Sequence, residues 1–96
     1  MNLGKVVGTV VSTRKDEKLT GTKLQVVRQV GLDLEETGSF VVAVDAVGAG
    51  PGEIVLYASG SSARQTTVTQ DRPADAVIMA IVDSLEVLGR EIYTKP

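Results

Sequence analysis

Five stretches of β-compatible residues lie between clusters of glycine, proline and charge. The first, Lys5 to Thr13, stops at the run Arg14-Lys15-Asp16-Glu17-Lys18, which reads as a solvated loop. In the second, Lys23 to Val30, Leu24, Val26 and Val30 form an apolar side against Lys23, Gln25 and Gln29, and Arg28 interrupts it. Gly31 to Gly38 reads as a turn region. Ser39 to Val47 and Glu53 to Ala58 follow as the third and fourth strands, separated by Gly48-Ala49-Gly50-Pro51-Gly52, a segment too rich in glycine to hold a regular ladder. Ala76 to Val87 is long enough for a helix. Its Val77, Ile78, Ile81, Val82 and Val87, and the Gly89 that follows, instead predict a strand that continues through a hairpin into Glu91 to Thr94. Between strands four and five, Gly60 to Arg72 is polar and has room for a short helical turn capped by Ser61 or Ser62.

This order of elements predicts a mostly β fold, a small five-stranded OB-like β-barrel with one short helix ahead of the last strand. Sixteen valines and nine threonines agree with it, because β-branched side chains favour the pleated surface. The 96 residues suit one domain, 1–96. Strands three and five are apolar on both sides. Phe40, Val42, Val44 and Ala46 alternate with Val41, Ala43 and Val47, and Val77, Met79 and Ile81 with Ile78, Ala80 and Val82. A small barrel has one interior, so the second apolar side needs cover. Either the loops and the C-terminal hairpin supply it or a neighbouring subunit does, and the scarcity of helical residues favours self-association. A monomer of this size buries only about 60 to 65% of its unfolded surface, which points the same way.

Composition narrows the function. With 43% hydrophobic and 23% charged residues the chain is globular, and its longest apolar run, Ala76 to Val82, falls far short of the roughly 20 residues that cross a bilayer. Ten basic against 12 acidic residues give a net charge of -2, a poor footprint for a phosphate polyanion. Only Phe40, Tyr57 and Tyr93 are aromatic, so an OB-type module that stacks single-stranded nucleic acid is the second reading, not the first. No cysteine and no histidine occur, which removes thiolate sites and the commonest base and metal ligand. No cofactor, metal or catalytic activity is expected, and a cytoplasmic setting follows from a start, Met1-Asn2-Leu3-Gly4-Lys5, without a secretory pattern.

Three groups of residues invite a chemical reading. Gly48-Ala49-Gly50-Pro51-Gly52-Glu53 looks like a phosphate loop but ends in glutamate and runs into a strand, whereas phosphate needs the N-terminus of a helix. It reads as a tight turn in which Gly48, Gly50 and Gly52 include positive-φ positions or close approaches. Gly60-Ser61-Ser62-Ala63-Arg64 lacks the glycine two residues after serine that a nucleophile elbow needs. It reads as a compact polar segment at the rim of an opening, with the Arg64 fork bonding carboxylates or carbonyls across a subunit contact. Asp45, Asp75 and Asp83 flank apolar stretches, where a carboxylate is expected to pair, with Arg64 or Arg72 as partners. An aspartate-based hydrolase is the remote third reading.

Taken together these residues resemble the EutN/CcmL family, the pentameric vertex proteins of bacterial microcompartments. The likeness runs through Gly4-Lys5-Val6, Gly8-Thr9-Val10-Val11 and Leu19, Gly21, Lys23, Leu24; through Val44-Asp45-Ala46-Val47-Gly48-Ala49-Gly50, Gly52-Glu53 and Val55-Leu56; and through Gly60-Ser61-Ser62-Ala63-Arg64, Pro73, Asp75-Ala76, Ile78 and Ile81-Val82-Asp83. Gly31 to Ser39 departs from the family's usual turn. The resemblance implies a five-stranded barrel assembled as a homo-oligomeric ring, a pentamer with a hexamer as the near alternative, that plugs the fivefold corners of a shell of hexameric tiles in the bacterial cytoplasm. It carries no nucleic-acid or membrane partner. Asp45, Gly48, Gly50, Gly52, Glu53, Gly60, Ser61, Ser62, Arg64, Asp75 and Asp83 are then expected at the subunit interface or the central opening.

Overall fold

Seven strands and two 3₁₀ turns make up the structure, a computed structural model that describes residues 1–70 and 74–96. The strands are β1 (Asn2–Val10), β2 (Leu24–Val30), β3 (Glu36–Asp45), β4 (Ile54–Ser59), β5 (Ala76–Ile81), β6 (Ser84–Val87) and β7 (Arg90–Thr94). The first five close into a barrel in the order β1-β2-β3-β5-β4. Every pairing in it is antiparallel except the short one of β3 with β5. This is the expected five-stranded OB-like barrel. Among the described residues β6 and β7 pair only with each other.

Val6, Val27, Ala43, Val55, Tyr57 and Ile78 fill the barrel, and Ala49 closes it from the loop after β3. Burying a valine- or isoleucine-sized side chain contributes about 1.5 to 3 kcal/mol, so this one cluster carries much of the protomer's stability. Gly4 is part of the same packing. A Cβ built there overlaps Val27 and stands 2.8 Å from Tyr57 Cε1.

The face assigned to the second strand is corrected by the structure. Gln25 and Val27 point inward and are fully buried, while Leu24 and Val26 are half-buried on the outer side. Register decides this: Val27 lies opposite Val6 on β1 and Val41 on β3. When valine stands on both sides of a strand, alternation alone does not choose the interior.

Strand limits shift as well. β1 begins at Asn2, because Asn2 to Lys5 pair with Tyr57 to Ile54 of β4, and it ends before Thr13. The turn expected over Gly31 to Gly38 narrows to 31–35, fixed by Gly31 N–H donating to the Glu35 carbonyl at 3.0 Å and by Asp33 Oδ1 accepting from Glu35 N–H at 3.0 Å. Glu36 already opens β3. The long fifth strand divides at Val82-Asp83. Its partner β4 runs out at Ile54, whose carbonyl takes the Val82 N–H at 2.8 Å, so the chain leaves the ladder there and folds β6 onto β7.

The short helical element is a 3₁₀ turn over Gly60–Arg64. Ser61 and Ser62 lie inside it and are exposed, and the capping position belongs to Ser59, whose side chain makes no capping bond. Its buried Ala63 lies over the outer wall in a second cluster with Val44, Ala58, Ala74 and Val77. The chain itself therefore covers part of the second apolar face of β3 and β5. It does not cover Phe40, which is 65% exposed, or Val42, which is 42% exposed. The other 3₁₀ turn, Glu17–Leu19, sits in the charged run, where Asp16 Oδ1 accepts from Lys18 N–H at 2.9 Å.

Candidate functional site

The loop from β3 to β4 is held by three side chains. Asp45 Oδ1 accepts from the N–H groups of Val47 at 3.0 Å and Gly48 at 2.9 Å, which bends the chain as it leaves β3. Glu53 Oε1 accepts from Gly50 N–H at 2.7 Å. Gln25, inside the barrel, donates through Nε2 to the Ala49 carbonyl at 2.7 Å, more weakly to Asp45 Oδ2 at 3.4 Å, and accepts from the Thr9 hydroxyl at 2.8 Å. Backbone bonds tie the far end to β1, with Gly52 N–H on the Val6 carbonyl at 2.7 Å and Val6 N–H on the Glu53 carbonyl at 3.0 Å. Gly48 at φ +75° and Gly52 at φ +89° adopt the left-handed region that side chains resist. Gly50 does not, and a Cβ on it has only Glu53 Oε1 near, at 3.6 Å.

Glu53 also reaches the C-terminal strand pair, its Oε2 standing 2.8 Å from Lys95 Nζ. The Lys95 hydrogen bond, with the Gly50 N–H behind it, lowers the Glu53 pKa from its ordinary value, and Glu53 in turn raises that of Lys95. Beside this pair Lys95 N–H donates to the Asp83 carbonyl at 2.8 Å. One carboxylate thus anchors both the glycine loop and the root of the hairpin.

The remaining residues of interest lie on the outer wall. Gly60, Ser61, Ser62 and Arg64 are exposed along the 3₁₀ turn, and Gly60 N–H donates to the Asp75 carbonyl at 2.8 Å. Asp75 and Asp83 are themselves exposed. A carboxylate in water needs no partner, and among the described residues neither they nor Asp45 forms an ion pair with Arg64; Arg72 lies outside the described residues. Between β3 and the 3₁₀ turn is a notch of about 500 Å³ lined by Phe40, Val42, Gly60, Asp75 and Ala76. Among the described residues no three acidic side chains converge in a way that would hold a metal ion.

The sequence-derived residues therefore separate. Asp45, Gly48, Gly50, Gly52 and Glu53 build the loop, Gly60, Ser61, Ser62, Arg64 and Asp75 lie on the exposed wall, and Asp83 stands at the root of the hairpin. Residues 1–83 match the family described as ethanolamine utilisation protein EutN/carboxysome. The chain belongs to the EutN/CcmL family. Within it, GrpN of Rhodospirillum rubrum (strain F11), a bacterial microcompartment shell vertex protein, is 53% identical over 89 residues, which are 93% of this chain and 100% of GrpN. The solved structure of GrpN, described as a pentameric microcompartment shell protein, matches with a TM-score of 0.84 at 52% identity over 92% of this chain and 100% of that one. CcmL from Nostoc sp. PCC 7120 matches with a TM-score of 0.94 at 45% identity, over 99% of this chain and 100% of that one.

Two members of this site escaped sequence reasoning. Gln25 reads as a solvent-facing polar residue until the register of β2 is known, and no sequence signal places it inside. Lys95 lies just past the hairpin, and nothing in the sequence pattern pairs it with Glu53.

Proposed function

We propose that this chain is a structural shell protein, not an enzyme, that assembles as a pentamer and closes the fivefold vertices of a bacterial microcompartment. Its likeness to GrpN, a pentameric shell protein, over 92% of this chain at 52% identity with a TM-score of 0.84 carries the reading. The geometry supplies the reason. A layer of hexagonal tiles is flat, and a closed polyhedral shell needs fivefold points that only a different ring provides. A barrel with a pinned loop and a stiff wall is a suitable unit for such a ring, since the angle between neighbours must be held to close at five.

The homopentamer sits in the shell, in the bacterial cytoplasm, with hexameric tiles as its partners. The chain acts as one domain. The exposed residues Gly60, Ser61, Ser62, Arg64, Asp75 and Asp83 belong at the subunit contact or the ring's opening, and so do Asp45, Gly48, Gly50, Gly52 and Glu53 of the loop before β4. No observation favours the nucleic-acid reading.

The test is co-expression of hexameric tile proteins with and without this chain, followed by electron microscopy and dye exclusion. Shells made without it are expected to be open at their corners and to close when it is restored. Equally sealed shells in its absence, with none of it copurifying when it is present, would refute the assignment.

A further inference from the structure

We propose that within the ring the tip of the β6–β7 hairpin of one subunit docks in the neighbour's outer-wall notch, Leu88 against Phe40 and Val42 and Arg90 on Asp75. The inference rests on the ring reading above and adds which parts of two subunits meet.

The hairpin is the less self-sufficient part of the protomer. A two-stranded ribbon alone is marginal in water, and this one pairs with no barrel strand. At its tip Leu88 and Gly89 both have positive φ, +52° and +76°, the pattern of a type I′ turn, whose first position favours asparagine, aspartate or glycine. A leucine there is strained, and it is fully exposed at 101%. Neither property suits a turn that faces solvent. Both suit a turn whose leucine is inserted into an apolar site. Arg90 stands next to it, exposed and without a carboxylate partner among the described residues.

The notch has the complementary character. Phe40 and Val42 offer an apolar wall that the subunit does not cover, and the exposed Asp75 supplies a negative charge at its rim. The hairpin of the same subunit does not occupy it, since none of its residues lines the notch and Leu88 is fully exposed. Asp75 and Ala76 lie at the start of β5, and the hairpin departs after Ile81 at the other end, roughly 17 Å further along a strand that rises about 3.3 Å per residue. The occupant is therefore a second copy. Two different patches of one subunit meeting head to tail make a heterologous contact, the kind that closes rings.

The experiment is native mass spectrometry of the full chain over a dilution series, with circular dichroism to confirm folding. Leu88→Asn is the informative variant, because asparagine suits the turn better than leucine and leaves the hairpin intact. Leu88→Asn, Arg90→Asp and Asp75→Arg should each move ring dissociation to a roughly tenfold higher concentration or more, and the double variant Asp75→Arg/Arg90→Asp should recover most of that shift. Rings of Leu88→Asn and Arg90→Asp that dissociate where the parent does would overturn the proposal, even if Phe40→Asp breaks the ring. Failure of the double variant to recover would overturn the Arg90–Asp75 pairing. A parent chain that runs as a monomer throughout would instead refute the ring reading itself.

Discussion

Gln25 offers the sharpest test of what holds the glycine loop. Replacing it with leucine keeps the volume and apolar stem but removes three hydrogen bonds, to Thr9, Ala49 and Asp45. These losses are unequal. Thr9 is exposed and Asp45 half-buried, so water satisfies both again. The Ala49 carbonyl has no such recourse, because Ala49 is 0% exposed and covers the end of the core. An unsatisfied buried carbonyl costs about 1 to 3 kcal/mol, and better burial of leucine offsets part of it, leaving about 1 to 2 kcal/mol. For a chain of this size that corresponds to a fall in Tm of about 5 to 15 °C. Melting should be compared at one fixed protomer concentration, since assembly stabilises the folded state by mass action. Hydrogen exchange supplies the local readout: the N–H groups of Gly50 and Gly52, bonded to Glu53 and Val6, should exchange faster, while the β1–β2 ladder around Val6 and Val27 should change least. A Gln25→Leu protein that melts within about 1 °C of the parent with Gly50 and Gly52 equally protected would show that the loop keeps its shape without the barrel's help.

The Glu53–Lys95 pair makes stability depend on pH at both extremes. Because Lys95 and Gly50 lower the folded pKa of Glu53, its contribution is complete above the unfolded value near 4.3 and disappears as pH falls through the folded one. Lys95, whose pKa is raised by Glu53, contributes fully below the unfolded value near 10.4 and loses it as pH rises through the folded one. Lys95→Met should flatten both limbs of a Tm-against-pH curve, and an unchanged acid limb would refute the coupling. Among the loop glycines, Gly48→Ala and Gly52→Ala should each cost about 1 kcal/mol for a side chain at positive φ, whereas Gly50→Ala should melt close to the parent. Equal losses at all three positions would mean that contacts, not φ, set the tolerance.

The sequence determined the kind of fold. Valine-rich segments between glycine and charge clusters have few outcomes other than strands, and the linked motifs from Val44 to Arg64 carry the likeness to the EutN/CcmL family. The loop glycines and the absence of histidine and cysteine were equally plain, because each depends on residue type alone. What tertiary structure decided was which side of each strand faces inward and where each ladder stops. Val26 and Val27 are interchangeable to a period-two pattern, and only pairing with Val6 and Val41 sends Val27 and Gln25 into the core. Val44 and Phe40 lie on the same outer face of β3, yet one is covered by Ala63 and the other is left open, because the 3₁₀ turn reaches only part of the wall. Ala76 to Val87 was one strand by composition. It became two because β4, some twenty residues away in sequence, is too short to pair with all of it. Local sequence fixes backbone preference at each position, but burial and register are properties of pairs of segments, and they exist only once the barrel has closed.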